Sequence, residues 1–173
     1  IAVMAGDSGL ADHYNRKADS LKARIQQKLW NPQSLFFETL KENGRFAGVR
    51  EAIGFLPWMV KLPDPGRGFE VAWKQLMDPG GFLAPFGLTT AERRHPEFRS
   101  HGCCQCEWDG AVWPFATSQT LVALQNLLRS FEQEEVSRAD YFRHMELYVE
   151  SQYYRGRPYI GEYLDESTGY WLK

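Results

Sequence analysis

The feature that most constrains this chain is a pair of helices announced within forty residues of each other. Residues 118–131 carry Leu121, Leu124, Leu128 and Phe131 at spacings of three or four, and Val122 and Leu127 widen that stripe. So broad an apolar face must be covered on most sides. A covering partner follows at once. Ser137 and Asp140 form a capping box, each side chain placed to take the other's backbone N–H, and Val136 and Tyr141 are spaced as a hydrophobic staple. The second helix runs through Met145, Tyr148 and Gln152 and halts near Gly156 and Pro158. Residues 132–136 join the two, a length suited to an antiparallel helical hairpin. We therefore expect 118–131 and 138–154 to pack as an antiparallel pair, one buried more deeply than the other.

Upstream, Ala11, Tyr14, Ala18, Leu21, Ile25 and Leu29 predict an amphipathic helix over residues 9–29, capped by Asp7 or Ser8 and stopped by Asn31-Pro32. Leu35, Phe36 and Phe37, a turn at Asn43-Gly44, then Phe46 and Val49 predict a short β-hairpin. Residues 52–62 are strongly apolar, but Gly54 and Pro57 interrupt any long helix there. A short helix with Phe69, Ala72, Trp73 and Leu76 on one face ends at Asp78-Pro79-Gly80-Gly81. Residues 78–112 lack helical period yet carry Phe82, Phe86, Phe98 and Trp108, too much apolar bulk for a disordered linker and typical of a functional loop. Residues 1–5 read as the end of a helix. A fainter signal is an echo 134 positions apart: residues 29–37 and 163–171 share an Asn or Asp, a Ser or Thr three positions later, and a closing aromatic pair.

With 173 residues, 43% of them hydrophobic, the chain can bury one core without staples. Twenty Lys and Arg against 22 Asp and Glu, with no basic block, leave little drive for nucleic-acid binding. No apolar run approaches the roughly 20 residues of a membrane-spanning helix. Cys103, Cys104 and Cys106 are odd in number and too close together for a disulfide framework, and with His101 they do not make structural-zinc spacing, so we expect thiols and no metal or cofactor.

The informative constellation is Trp108-Asp109-Gly110-Ala111-Val112-Trp113-Pro114, leading straight into the buried helix, together with Gly161-Glu162-Tyr163-Leu164-Asp165-Glu166-Ser167-Thr168-Gly169. These segments resemble the C-terminal part of the catalytic domain in (α/α)6-toroid glycoside hydrolases of the α-glucosidase I (family 63) and mannosylglycerate hydrolase type. There a WxGxVWP segment and a later glutamate followed by Thr-Gly both border the sugar site. The Leu29-Trp30-Asn31-Pro32 turn and, more loosely, residues 54–63 extend the likeness over most of the chain. The resemblance implies a mainly α fold, an incomplete (α/α)6 toroid of helical hairpins with long aromatic loops and short β-hairpins.

It also implies roles. Sugars present apolar C–H faces beside hydroxyl edges, so flat rings supply stacking area while carboxylates and amides bind hydroxyls. On that basis Trp108, Gly110, Trp113 and Tyr163 would bind substrate, although both tryptophans also suit a core before a buried helix. Glu162 matches the family's general base. Inverting glycosidases pair such a base with a protonated acid roughly 6.5–9.5 Å away. The family's acid, an Asp on an earlier loop, has no counterpart segment here, and Asp109 does not take its place.

Length points the same way. Six hairpins of two helices of about 14 residues with connections of about 5 need about 230 residues, so residues 1–173 read as one domain, part of a larger glycosidase catalytic domain. The partners expected are a carbohydrate substrate and the remainder of the toroid, and the chain alone is expected to be inactive. Two other functions stay open: a sugar epimerase or isomerase of the same architecture, which would need a pair from His13, His95, His101 and His144, and a non-catalytic helical carbohydrate-binding domain.

Overall fold

A computed structural model describes residues 1–99 and 106–173. His101, Cys103 and Cys104 lie outside the described residues; Cys106 is exposed. The described residues are mainly helical, with three two-stranded antiparallel hairpins.

Helix α1 spans Ser8–Leu29, and Asp7 caps it by accepting from the N–H of Leu10 at 2.8 Å. Only part of its apolar stripe is used: Ala11 is buried and Ile25 and Leu29 pack on the core, while Tyr14 and Leu21 remain exposed. Its second half is tied down by polar contacts, since Gln26 and Lys22 both hold the Asp64 carboxylate. Residues 1–5 form hydrogen-bonded turns, separated from α1 by Gly6 at φ 74°.

The next segment departs from the expected hairpin. Strand β1, Trp30–Asn31, pairs with β2, Phe36–Phe37, so Phe36 and Phe37 fold back on the end of α1 and not onto Phe46. The reason is chemical and local. The Asn31 side chain accepts from the N–H of Gln33 and donates to the buried Glu38 carboxylate, closing a tight turn that places both phenylalanines in the core. The Asn43-Gly44 turn exists, but it is closed by a single bridge between Leu40 and Phe46.

Residues Ala52–Phe55 make a 3-10 turn running into α2, Leu56–Met59, a break consistent with Gly54 and Pro57. The segment expected as a short helix is 3-10, Phe69–Gln75. Strands β3, Leu83–Ala84, and β4, Gly87–Leu88, form the second hairpin.

Helix α3 spans Pro114–Ser130 and α4 spans Arg138–Glu150. They pack together with unequal burial, α3 burying Leu121, Ala123, Leu124 and Leu127 among others and α4 only His144, but the second helix is shorter than the expected 138–154: it stops at Glu150, and Tyr153 and Tyr154 leave it to form a strand. The capping box is complete, with Ser137 Oγ accepting from the Asp140 N–H and Asp140 Oδ2 accepting from the Ser137 N–H. Asn126 of α3 donates to the carbonyls of Trp58 and Met59, tying α3 to the end of α2. Between these helices sits an aromatic core in which Phe36, Phe55, Trp58, Trp73 and Phe82 meet mostly edge to face at centroid distances of 4.5–5.8 Å. The last hairpin, β5 (Tyr153–Tyr154) and β6 (Arg157–Pro158), follows α4.

The sequence echo is a structural repeat. Asn31 and Asp165 each open a turn by accepting an N–H two residues on, from Gln33 and Ser167. Trp30 pairs with Phe37 as Leu164 pairs with Trp171, and the N–H groups of Glu38 and Leu172 donate to Leu29 and Tyr163. Each hydrogen bond recurs at the same offset of 134 residues.

Candidate active site

Trp108 and Trp113 precede α3, and Tyr163 lies near the end of the chain, yet their rings form one stack. Backbone register brings them there. Val112 and Leu164 exchange both backbone hydrogen bonds at 3.0 Å, making an antiparallel pair. Their neighbours Trp113 and Tyr163 therefore face each other, with centroids 4.7 Å apart and planes 12° from parallel. Trp108 lies on the other side of Trp113 at 4.0 Å and 20°. The Trp113 indole N–H donates to the carbonyl of Glu107 at 2.8 Å, which fixes the middle ring.

Burial divides the stack. Trp113 and Tyr163 are 5% and 4% exposed, whereas Trp108 is 46% exposed. A ligand at this surface would touch Trp108, which the other two rings hold in place. Burial, assisted by the nearby Glu107 carboxylate, pushes the Tyr163 phenol up from its ordinary value and keeps it neutral. Gly110 is buried, and a Cβ there would stand 2.7 Å from the Phe98 ring. The glycine lets residues 98 and 99 close over the loop, and its N–H donates to Thr90 Oγ1.

The exposed side of Trp108 borders a cavity of about 380 Å3, within the size range of small-molecule sites. Phe115 and Gln119 of α3 line it, as do Thr39, Glu51 and Thr90. Thr39 Oγ1 donates to Glu51 Oε2 at 2.7 Å. No spacing pattern marks Thr39, Glu51 or Gln119 in the sequence, because three separate segments bring them together.

Glu162 follows a different path. It is next to Tyr163 in the chain, but its carboxylate does not line the cavity; it pairs with the Lys173 ammonium at 2.9 Å, and its own N–H donates to the Lys173 carbonyl. That pairing raises the Lys173 pKa above its ordinary value. The structure thus brings three of the expected residues into contact, packs Gly110 against Phe98 and Arg99, and leaves the Glu162 carboxylate outside the cavity on Lys173.

Arg99 joins the two motifs and carries no signature in the sequence. Its guanidinium lies 2.9 Å from Glu107, 3.2 Å from Asp165 and 3.5 Å from Glu166. Asp165 is equally structural: desolvation is outweighed by hydrogen bonds from the hydroxyls and N–H groups of Ser167 and Thr168, which lower its pKa to about 2. A carboxyl so held stays ionised and is a poor proton donor. Among the described residues no histidine lines the cavity: His13 is exposed on α1, and His144 is buried with Nε2 3.1 Å from Met77 Sδ.

The chain belongs to the family of mannosylglycerate hydrolase MGH1-like glycoside hydrolase domains, whose model matches residues 1–173. Among solved structures, one named "Sialidase" is 58% identical with a TM-score of 0.96, over 99% of this chain and 16% of that one. The family 63 mannosylglycerate hydrolase from Thermus thermophilus in complex with glucose is 20% identical with a TM-score of 0.69, over 97% of this chain and 38% of that one. The same enzyme in complex with Tris and D-glycerate matches equally well, with 36% of its chain covered. This likeness shows the fold, that of a family 63 toroid with its helical hairpins, as the sequence led us to expect. The chain thus spans well under half the length of each of these structures. No curated protein matches it.

Proposed function

We propose that this chain is part of a larger glycoside hydrolase catalytic domain that cleaves an α-linked sugar with inversion, using two carboxyl groups. The observation that carries the reading is the Val112–Leu164 register, which builds one aromatic platform from the two motifs and sets Glu162 at its side. In this mechanism Trp108 stacks on the apolar face of a sugar, Trp113 and Tyr163 support it from beneath, and Gly110 shapes the floor. Glu162 is the general base that takes a proton from the attacking water. Before substrate binds, its carboxylate pairs with the Lys173 ammonium. The general acid comes from a part of the domain outside residues 1–173, so this chain alone has no turnover. The glucose and D-glycerate seen with the Thermus enzyme support a carbohydrate substrate.

Glu162→Gln in the complete domain is the direct test. Losing a general base slows turnover by typically 10²–10⁴-fold, and sugar binding should persist because the amide keeps the shape. Reducing-sugar release from model α-glycosides reads the rate, and NMR of the first-formed anomer reads the stereochemistry. Unchanged turnover in Glu162→Gln would remove Glu162 from the mechanism; a retained anomeric configuration would exclude inversion.

A further inference from the structure

We propose that Asn43-Gly44 is a site of spontaneous chemical modification: the Gly44 nitrogen attacks the Asn43 side-chain carbonyl, ammonia leaves, and water opens the cyclic imide to aspartate or isoaspartate. The inference stands apart from the sugar-site reading and concerns a turn to which that reading gives no part.

The chain has four asparagines, and the fold sorts them. Asn31 precedes Pro32, which has no N–H to give up, and its amide donates to the buried Glu38 carboxylate. Asn15 and Asn126 lie inside α1 and α3, where the nitrogen of the next residue is committed to the helix ladder. Asn43 is the asparagine followed by glycine, and both residues are exposed at the tip of the loop between Leu40 and Phe46. Gly44 has φ 77°, and a Cβ built on it would meet nothing within 4 Å, so no side chain shields its nitrogen. Asp109-Gly110 offers similar chemistry in sequence. There, however, Gly110 is buried, its N–H donates to Thr90 Oγ1, and a Cβ would stand 2.7 Å from the Phe98 ring, which closes that pair to the reaction.

The turn also activates the electrophile. Asn43 Oδ1 accepts the Arg45 N–H at 3.0 Å. The ring closed by this bond contains both the Asn43 Cγ carbon and the Gly44 nitrogen, so the reacting atoms share one short, bent segment. When the nitrogen adds, negative charge develops on Oδ1, where the Arg45 N–H already points. The attack forms an N–C bond at Cγ and expels the side-chain nitrogen, which leaves as ammonia with the proton given up by Gly44. Water then adds to either imide carbonyl: cleavage at Cγ gives aspartate, and cleavage at the main-chain carbonyl gives isoaspartate. The Gly44 N–H bond to the Lys41 carbonyl, 2.8 Å, must open first, and bonds at an exposed turn open at little cost.

The loop is rooted at the cavity wall. The Ala47 N–H donates to the Thr39 carbonyl at 2.8 Å, and Thr39 lines the cavity and holds Glu51. Isoaspartate lengthens the main chain at the tip and adds a charge, which loosens the Leu40–Phe46 bridge and the Ala47–Thr39 bond below it.

The experiment incubates the folded chain at mildly alkaline pH beside a peptide of residues 40–47, and follows both by peptide mapping and isoaspartyl methylation. Isoaspartate should form at Asn43 in the folded chain at a rate within about tenfold of the peptide, while Asn15, Asn31 and Asn126 stay intact. Gly44→Ala should slow conversion about tenfold, and Asn43→Gln, which keeps the amide but needs a larger ring, should abolish it. Hydrogen exchange of the Ala47 amide should be several-fold faster in the converted chain. An intact Asn43 in the folded chain beside a converted peptide overturns the proposal, because the Lys41–Gly44 bond then locks the nitrogen. Conversion to aspartate without isoaspartate overturns it too, since that outcome marks direct hydrolysis and not an imide. Ala47 exchange unaltered by conversion overturns the link to Thr39.

Discussion

At the scale of single residues, the most consequential finding away from the site is His144. The ring is 1% exposed on α4, Nε2 meets only a thioether sulfur, and Nδ1 has no partner among the described residues. Burial therefore lowers its pKa from near 6.5 to about 4. The unfolded chain takes up that proton below pH 6.5, whereas the native state resists until about pH 4, so the native state loses stability as pH falls through that window. The full effect is about 3 kcal/mol, complete near pH 4 and absent above pH 7. Urea unfolding of the wild type and His144→Leu at pH 7, 5.5 and 4.5 should show the wild type losing more stability than the variant. Parallel pH profiles would mean that His144 is solvated or paired.

At the scale of elements, the helical hairpin owes its register to local chemistry at one junction. The capping box at Ser137 and Asp140 satisfies helix-end donors, and Val136 and Tyr141 anchor the entry of α4 to the same core that α3 fills. Ser137→Ala removes the acceptor for the Asp140 N–H and should cost about 1 kcal/mol. In a chain of this size that is a fall in Tm of roughly 2–4 °C, measurable by calorimetry. A Tm unchanged within error would show that tertiary packing alone holds the start of α4. The repeated turns at Asn31 and Asp165 make the same point: one polar side chain closes each turn, and the strand pairing follows from it.

At the scale of the whole molecule, Arg99 joins segments that are 66 residues apart in sequence. One guanidinium faces three largely buried carboxylates, and its backbone N–H also binds the carbonyl of Asp109. Arg99→Met keeps the side-chain length and removes the cation shared by these three carboxylates, which should destabilise the fold by about 3 kcal/mol. The loop carrying Trp108 should loosen as well, shifting tryptophan emission to longer wavelength before global unfolding. A variant with wild-type Tm and emission would show that the Val112–Leu164 pair is sufficient to join the motifs.

Much of this protein is legible in order along the chain. Apolar spacing marks α1, α3 and α4, the capping box and the proline stops mark their ends, and the Trp108–Pro114 and Glu162–Gly169 segments mark where the site must lie; these are local properties, set within one or two helical turns. The pairing of Phe36 and Phe37 with Trp30 and Asn31 escapes such reading, because Asn31 and Glu38 close a turn of their own and the Asn43-Gly44 turn pairs Leu40 with Phe46 instead. Convergence of Thr39, Glu51, Trp108 and Gln119 on one cavity escapes it too. Those positions are brought together by bridges between single residues of distant segments, and such contacts leave no period in the sequence. Only the folded backbone decides which carboxylate faces the cavity and which stands beside the aromatic stack.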